Sequence, residues 1–176
     1  DVATRLRVPQ AMRQLVVASV AAVFASSDGL LRALQPARVV RQEVPLWLPL
    51  QGGIVSGAID LVLEYDNKPP CILDFKTIPD PLSNRENRQV SQAGALGETL
   101  EVRQARALRE AYGSQLALYA LALADFAGYE EIDVGVVTMP AGGLTVWRLD
   151  AAALHAARDA AELALQKLLA CEYPQP

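Results

Sequence analysis

The sequence predicts a mixed β-sheet with helices against it, an α/β chain, and three observations carry that prediction. Apolar residues recur at helical spacing in separated segments. β-Branched runs of strand length lie between them, and Gly, Pro, Asn and Asp punctuate the joins. The resulting order is a helical lead-in, three strands, a helix, two strands and a closing helix. With 176 residues, 52% of them hydrophobic, the chain is long enough for one sizeable core and short for two, so a single domain is expected.

From Ala11 to Ala25 the apolar residues follow a helical period until Ser26-Ser27-Asp28-Gly29 breaks it, and Leu30 to Leu34 reads as a second, short helix. Val39 to Leu50 reads as the first strand and Ile54 to Tyr65, after Gly52-Gly53, as the second. Asp66-Asn67-Lys68-Pro69-Pro70 is a turn, and Cys71 to Ile78 is the third strand. Residues 79 to 102, rich in Pro, Ser, Asn, Gly and Gln, show no period and read as a loop. Arg103 to Phe126 returns to helix, with Tyr112, Gln115, Leu116, Tyr119, Leu123 and Phe126 along one stripe. Ile132 to Met139 and Leu144 to Leu149 are two further strands, and Asp150 N-caps a final Ala-rich helix to about Ala170. Trp47 and Trp147, both in strands, are expected in the core.

Composition excludes several classes. The longest apolar run, Leu15 to Ala25, falls short of the roughly 20 residues a membrane span needs, and the N-terminus lacks the layout of a secretion signal. Two cysteines about a hundred residues apart make neither a disulfide framework nor a Cys-rich metal site, which fits a reducing cytoplasm. A net charge of −4 argues against a stand-alone nucleic-acid binder, so any grip on DNA must be local or lent by a partner. Of the 16 cations only Lys68, Lys76 and Lys167 are lysines. A lysine inside a strand, where Arg is the habitual cation, suits a site that wants a compact ammonium.

That lysine stands in CILDFKT, where Asp74 and Lys76 interrupt an apolar run. A turn centred on Asn67 pairs Leu61 with Leu73, Val62 with Ile72, and Asp60 with Asp74. Directly opposed residues of an antiparallel pair have Cβ atoms about 5 Å apart, and like charges there are destabilising unless a cation lies between them. By alternation Ile72, Asp74 and Lys76 share one face, and Cys71, Leu73 and Phe75 the other. Two carboxylates for a hard divalent ion with an ammonium at the edge is chemistry for a phosphate. The competing reading is a structural Asp74–Lys76 ion pair at a strand end. Glu64 shares the Asp60 face but lies at the far end of its strand, as a solvent-exposed acid.

Four motifs in order, at fitting separations, carry a family resemblance. Gly57 with Asp60 looks like a G-x-x-D motif, Asp74-Phe75-Lys76 like D-[FY]-K, and Gln115 with Tyr119 like a Q-x-x-x-Y helix motif, all after the REVPL-type strand. From about Val39 to Phe126 the chain resembles the nuclease domain of the PD-(D/E)XK superfamily, in its RecB-like and AddA-like branch, which belongs to UvrD-like superfamily 1 helicase-nucleases. The resemblance implies a restriction-endonuclease-like core and a Mg²⁺-dependent deoxyribonuclease, an exonuclease in double-strand break processing and recombinational repair, with Mn²⁺ as the substitute ion. It implies Asp60, Asp74 and the Phe75 backbone carbonyl as metal ligands, Lys76 as the catalytic amine, and Gln115 and Tyr119 on a helix face bordering the site. Glu43 matches an acid of the family's first strand, as a second-ion ligand or a solvated residue.

On this reading residues 1–37 are a helical lead-in, 38–149 the catalytic core and 150–176 a C-terminal helix of one nuclease domain. The Asp1 start fits a C-terminal piece of a larger helicase-nuclease of the bacterial cytoplasm, associated with the nucleoid. DNA and a helicase motor, in the same chain or a partner subunit, are the implied partners, and no membrane is. Arg103, Arg106 and Arg109 recur at i, i+3, i+6 and could meet strand phosphates, as could Arg85 and Arg88; a solvated helix face is the other reading. Such nucleases commonly carry a metal-binding histidine on a helix before the first strand, and residues before Val39 have none. The sole histidine, His155, is expected on the surface or in the packing of the last helix. Some relatives hold an iron-sulfur cluster through four cysteines; none is expected here. The alternative function is a non-catalytic DNA-binding or scaffold version of the same domain.

Overall fold

The computed structural model describes residue 14 and residues 32–77, 99–139 and 143–170. The lead-in over 11–25, residue 14 apart, and the arginines at 85 and 88 lie outside the described residues. Strands β1, Val39–Leu50, and β2, Gly53–Glu64, form a long antiparallel ribbon, and β3, Cys71–Thr77, lies antiparallel to β2. Helix α1, Leu100–Ala127, then leads to β4, Ile132–Met139, which runs parallel to β3. A parallel neighbour cannot be reached by a tight hairpin, and this long helix supplies the crossover. Strand β5, Gly143–Leu149, returns antiparallel to β4 before helix α2, Ala151–Leu169. The fold is a mixed sheet in the order β1-β2-β3-β4-β5 with helices against it, as expected.

Central strands are covered on both faces, which is why β3 and β4 read as nearly continuous apolar runs. Leu48, Val62, Ile72, Val134 and Val136 point toward Leu116 and Ala120 of α1 and Leu154 of α2 in the larger core cluster. Leu61, Leu63, Cys71, Leu73 and Val137 form a second cluster on the opposite face, partly covered by Ala33, Leu34 and Ala37. The lead-in is tied there by Tyr65 Oη donating to the Ala33 carbonyl at 2.9 Å and the Arg38 N–H donating to the Glu64 carbonyl at 2.8 Å. Among the described residues no helix is long and apolar enough to cross a membrane.

Four expectations need correction. Helix α1 starts at Leu100, not Arg103, because Thr99 N-caps it: its hydroxyl accepts the Val102 N–H at 3.3 Å. Trp47 is 69% exposed, since Leu46, Leu48 and Leu50 take the inward face of β1 and alternation turns Trp47 outward; Trp147 packs partly against the core. Phe126 is exposed: by its last turn α1 has outrun its packing partners, and Asp125, Ala127 and Gly128 beside it are exposed too. Glu64 is half-buried and pairs with Arg41 at 3.0 Å. Asp150 does cap α2, accepting the Ala153 N–H at 2.8 Å.

Candidate active site

The β2–β3 ladder pairs Leu61 with Leu73, Val62 with Ile72 and Leu63 with Cys71, the register expected from the turn at Asn67. It stops one position short of Asp60 and Asp74. There the strands part, and Asp60 Oδ2 accepts the Phe75 N–H at 2.9 Å, a side chain standing where a backbone rung would be. In an extended strand the N–H and C=O of one residue point to the same edge. The Phe75 carbonyl is therefore aimed toward β2, into the gap that Asp60 enters.

Asp74, 2% exposed, and Lys76 lie on the α1 side of β3. Lys76 Nζ is 2.7 Å from Asp74 Oδ2. Oδ2 is fully buried and has the Lys76 ammonium as its ionic partner. Burial pushes the Asp74 carboxyl above its ordinary range and the nearby Asp60 charge adds to this, while Lys76 opposes both without cancelling them. For Lys76 burial pulls the other way, but contact with Asp74, helped by Asp60 and Tyr119, holds the ammonium above its usual value. Both readings of the Asp-x-Lys triplet are thus visible in one geometry: the two residues are an ion pair, and they sit beside a second carboxylate.

Helix α1 supplies the wall over this pair. Gln115 and Tyr119, one turn apart, share a face, and Gln115 Nε2 donates to Tyr119 Oη at 2.7 Å. A Cβ at Gly57 would stand 3.9 Å from the Tyr119 ring, so the G-x-x-D glycine is a small residue beneath the tyrosine. Tyr112 also belongs to the site: its ring centroid is 5.2 Å from Lys76 Nζ, a cation–π contact. Its spacing, three residues before Gln115 and seven before Tyr119, is the signal in the sequence that marks it.

Glu43 stands across from Asp60. The β1–β2 ladder runs from Val39↔Glu64 to Leu50↔Gly53 but skips this one pair. Glu43 has φ 50°, the sole positive value outside glycine among the described residues. A left-handed residue inside a strand re-aims its side chain. The ribbon correspondingly changes parity: Val44 and Ile59 pack in the α1-side core, whereas Leu61 packs on the opposite face. Beside the break lies a cleft of about 380 Å³ lined by Leu34, Val40, Gln42, Glu43, Asp60, Leu61 and Phe75. Gln42 is a site residue that no motif in the sequence points to.

Arg103 is half-buried, Arg106 and Arg109 are exposed, and the Arg109 guanidinium lies 5.8 Å from the Trp147 ring centroid. His155 is exposed on α2, 3.7 Å from Asp159. Cys71 packs on the face away from Asp74.

Among the described residues no three His, Cys, Asp or Glu side chains gather closely enough to form a ligand cluster by themselves. Asp60, Asp74 and the Phe75 carbonyl offer oxygen donors only, the kind that could hold a hard ion such as Mg²⁺ or Mn²⁺. The buried Asp74 Oδ2 already holds the Lys76 ammonium at 2.7 Å, so positive charge is accommodated at this position. No family model matches the chain, and no curated protein does. Among solved structures the chain is similar to the crystal structure of SSO0001, at 14% identity and a TM-score of 0.32, over 77% of this chain and 55% of that one.

Proposed function

We propose that the chain is a metal-dependent DNA nuclease domain of the PD-(D/E)XK type, working with a RecB/AddA-like helicase motor in double-strand break processing. The observation that carries this reading is the parting of β2 and β3 at Asp60 and Asp74, with Lys76 Nζ 2.7 Å from Asp74 Oδ2. Two neighbouring carboxylates raise each other's cost, and a protein without use for them has little reason to bury one at 2% exposure.

A divalent ion held by Asp60, Asp74 and the Phe75 carbonyl would polarise a phosphoryl oxygen and acidify a water. Lys76, held cationic by its neighbours, donates hydrogen bonds to the attacking water or to a phosphate oxygen as negative charge grows there. The Gln115–Tyr119 pair and the Tyr112 ring hold the ammonium and its surroundings in place from α1. Asp60, fixed by the Phe75 N–H, keeps its carboxylate at the gap.

A second reading, a DNA-binding scaffold without chemistry, draws on the Asp74–Lys76 ion pair, which satisfies charge without an ion. Labelled linear single-stranded DNA with Mg²⁺ separates the two. The nuclease reading expects degradation that stops with EDTA and with Asp74→Ala or Lys76→Ala. Equal degradation by wild type and both variants discards it.

A further inference from the structure

We infer that the cleft beside Asp60 is a nucleobase subsite, taking an unpaired base that carries an exocyclic amino group. The inference rests on the nuclease reading for its substrate class, DNA, and adds which strand form and which bases it holds.

The argument begins with the backbone. Gln42 and Glu43 are consecutive in β1, and Asp60 and Leu61 are consecutive in β2, yet all four line one cleft. Regular alternation would send each pair to opposite faces. What lets them converge is the skipped Glu43–Asp60 rung and the left-handed backbone of Glu43. Holding a non-glycine residue there costs free energy and persists where the surroundings impose it, commonly at binding sites.

The lining then selects the occupant. Its walls are apolar, Leu34, Val40 and Leu61, and Phe75, itself packed partly on the second core cluster, closes one side. At one side stand two carboxylates, which only accept hydrogen bonds and repel phosphate, and one amide, which donates and accepts. A nucleobase fits: a planar apolar body with a polar edge. Cytosine, adenine and guanine offer an exocyclic amino group to Glu43, whereas thymine has only its ring N3–H, flanked by two carbonyl oxygens that the carboxylate repels. A base can enter only when unpaired, so the preferred substrate is single-stranded. Asp60 lines this cleft and also accepts the Phe75 N–H, so the cleft opens where β2 and β3 part, on the face of the sheet opposite Asp74 and Lys76.

The test uses the full chain and labelled oligo-dC and oligo-dT of equal length. Binding is read by fluorescence anisotropy without divalent ions, and cutting is read separately with Mg²⁺. Oligo-dC is expected to bind about fivefold more tightly than oligo-dT, the scale of one side-chain contact to a base edge. Gln42→Ala and Glu43→Gly should erase that preference; glycine accepts the left-handed backbone, so the second variant keeps the strand geometry. Asp74→Ala should keep it while losing cleavage. Equal binding of both oligonucleotides, or a preference unchanged in the two cleft variants, overturns the subsite. If wild type then still cuts DNA, the nuclease reading stands without it; base preference without cutting leaves the subsite standing and removes the nuclease reading. A Glu43→Gly protein that needs more Mg²⁺ but keeps the dC preference makes the cleft a cation site and also overturns the inference.

Discussion

The Asp60 carboxylate holds the Phe75 N–H at 2.9 Å, bridging β2 and β3 just where their ladder ends. One side chain thus does two jobs, closing a backbone vacancy and presenting a negative charge to the gap. The two can be separated. Asp60→Ala leaves the Phe75 N–H without its acceptor and should lose about 1–3 kcal/mol in urea unfolding. Asp60→Asn keeps an acceptor oxygen and should lose less than half of that, yet it should be as inactive as the alanine variant in the cleavage assay.

Asp74 sets a pH dependence whose sign follows from its raised carboxyl value. A folded-state value above the unfolded one means that the native protein binds this proton more tightly. The stabilisation is complete below the unfolded value, about 3.9, and is lost as pH rises through the folded value. Asp74→Asn carries no such proton. In EDTA, thermal melts from about pH 4 to about pH 7 should move in favour of the asparagine variant relative to wild type as pH rises. A constant difference across the series would contradict the buried state of Asp74.

Cys71 is 4% exposed, and burial first, then the Asp133 charge, push its thiol up to about 12 against a small opposing effect of Lys68. The thiolate is the reactive species, so native Cys71 should resist alkylation at about pH 8. In a Cys171→Ser background, iodoacetamide should label the protein only when urea unfolds it. The same shift makes stability fall as pH climbs from the unfolded thiol value of about 8.5 toward about 12.

Two adjacent residues of β1 should answer mutation very differently. Leu48 is fully buried, whereas Trp47 is 69% exposed. Leu48→Ala should cost about 2–5 kcal/mol, the range for a truncated core leucine. Trp47→Ala, despite removing a larger side chain, should stay within about 0.5 kcal/mol, since it touches no core. Denaturant midpoints of the two variants check the contrast.

The fold is legible where one local rule decides it. Among the described residues the five strands and the two long helices follow from period and punctuation, and the Leu61↔Leu73 register follows from a turn placed on Asn67. The neighbourhood of Asp60, Asp74 and Lys76 is legible for the same reason, because it is one rung beyond that register. Legibility ends where a residue breaks its own element's rule. Glu43 has the composition of an ordinary strand residue, and nothing in RQEVPL announces φ 50° or the change of parity around it. The Asp60–Phe75 bond joins a side chain to a backbone group, which alternation does not address. At Trp47 two rules conflict: aromatic size favours the core, alternation with Leu46 and Leu48 points outward, and position wins over size.

Gly135 gives the sharpest packing test of the sheet that carries the site. It lies in β4 between Leu73 of β3 and Val146 of β5. A Cβ there would meet the Thr145 carbonyl oxygen at 2.9 Å, and Leu73 Cδ2 and Val146 Cγ2 at 3.0 Å each. The side chains could shift, but the carbonyl belongs to the neighbouring strand's backbone, so an alanine must move β5 or strain β4. Glycine in a central strand here is explained by that close approach rather than by backbone conformation. Gly135→Ala should therefore destabilise by about 1–3 kcal/mol, opposite to the gain the same substitution gives where space allows. Because Leu73 directly precedes Asp74, strain passed to β3 should also slow DNA cleavage more than the stability loss alone accounts for. Gly128→Ala is the control, with φ 75° at the end of α1 and open space around its Cβ: it should cost backbone strain but leave the cleavage rate of the folded protein unchanged.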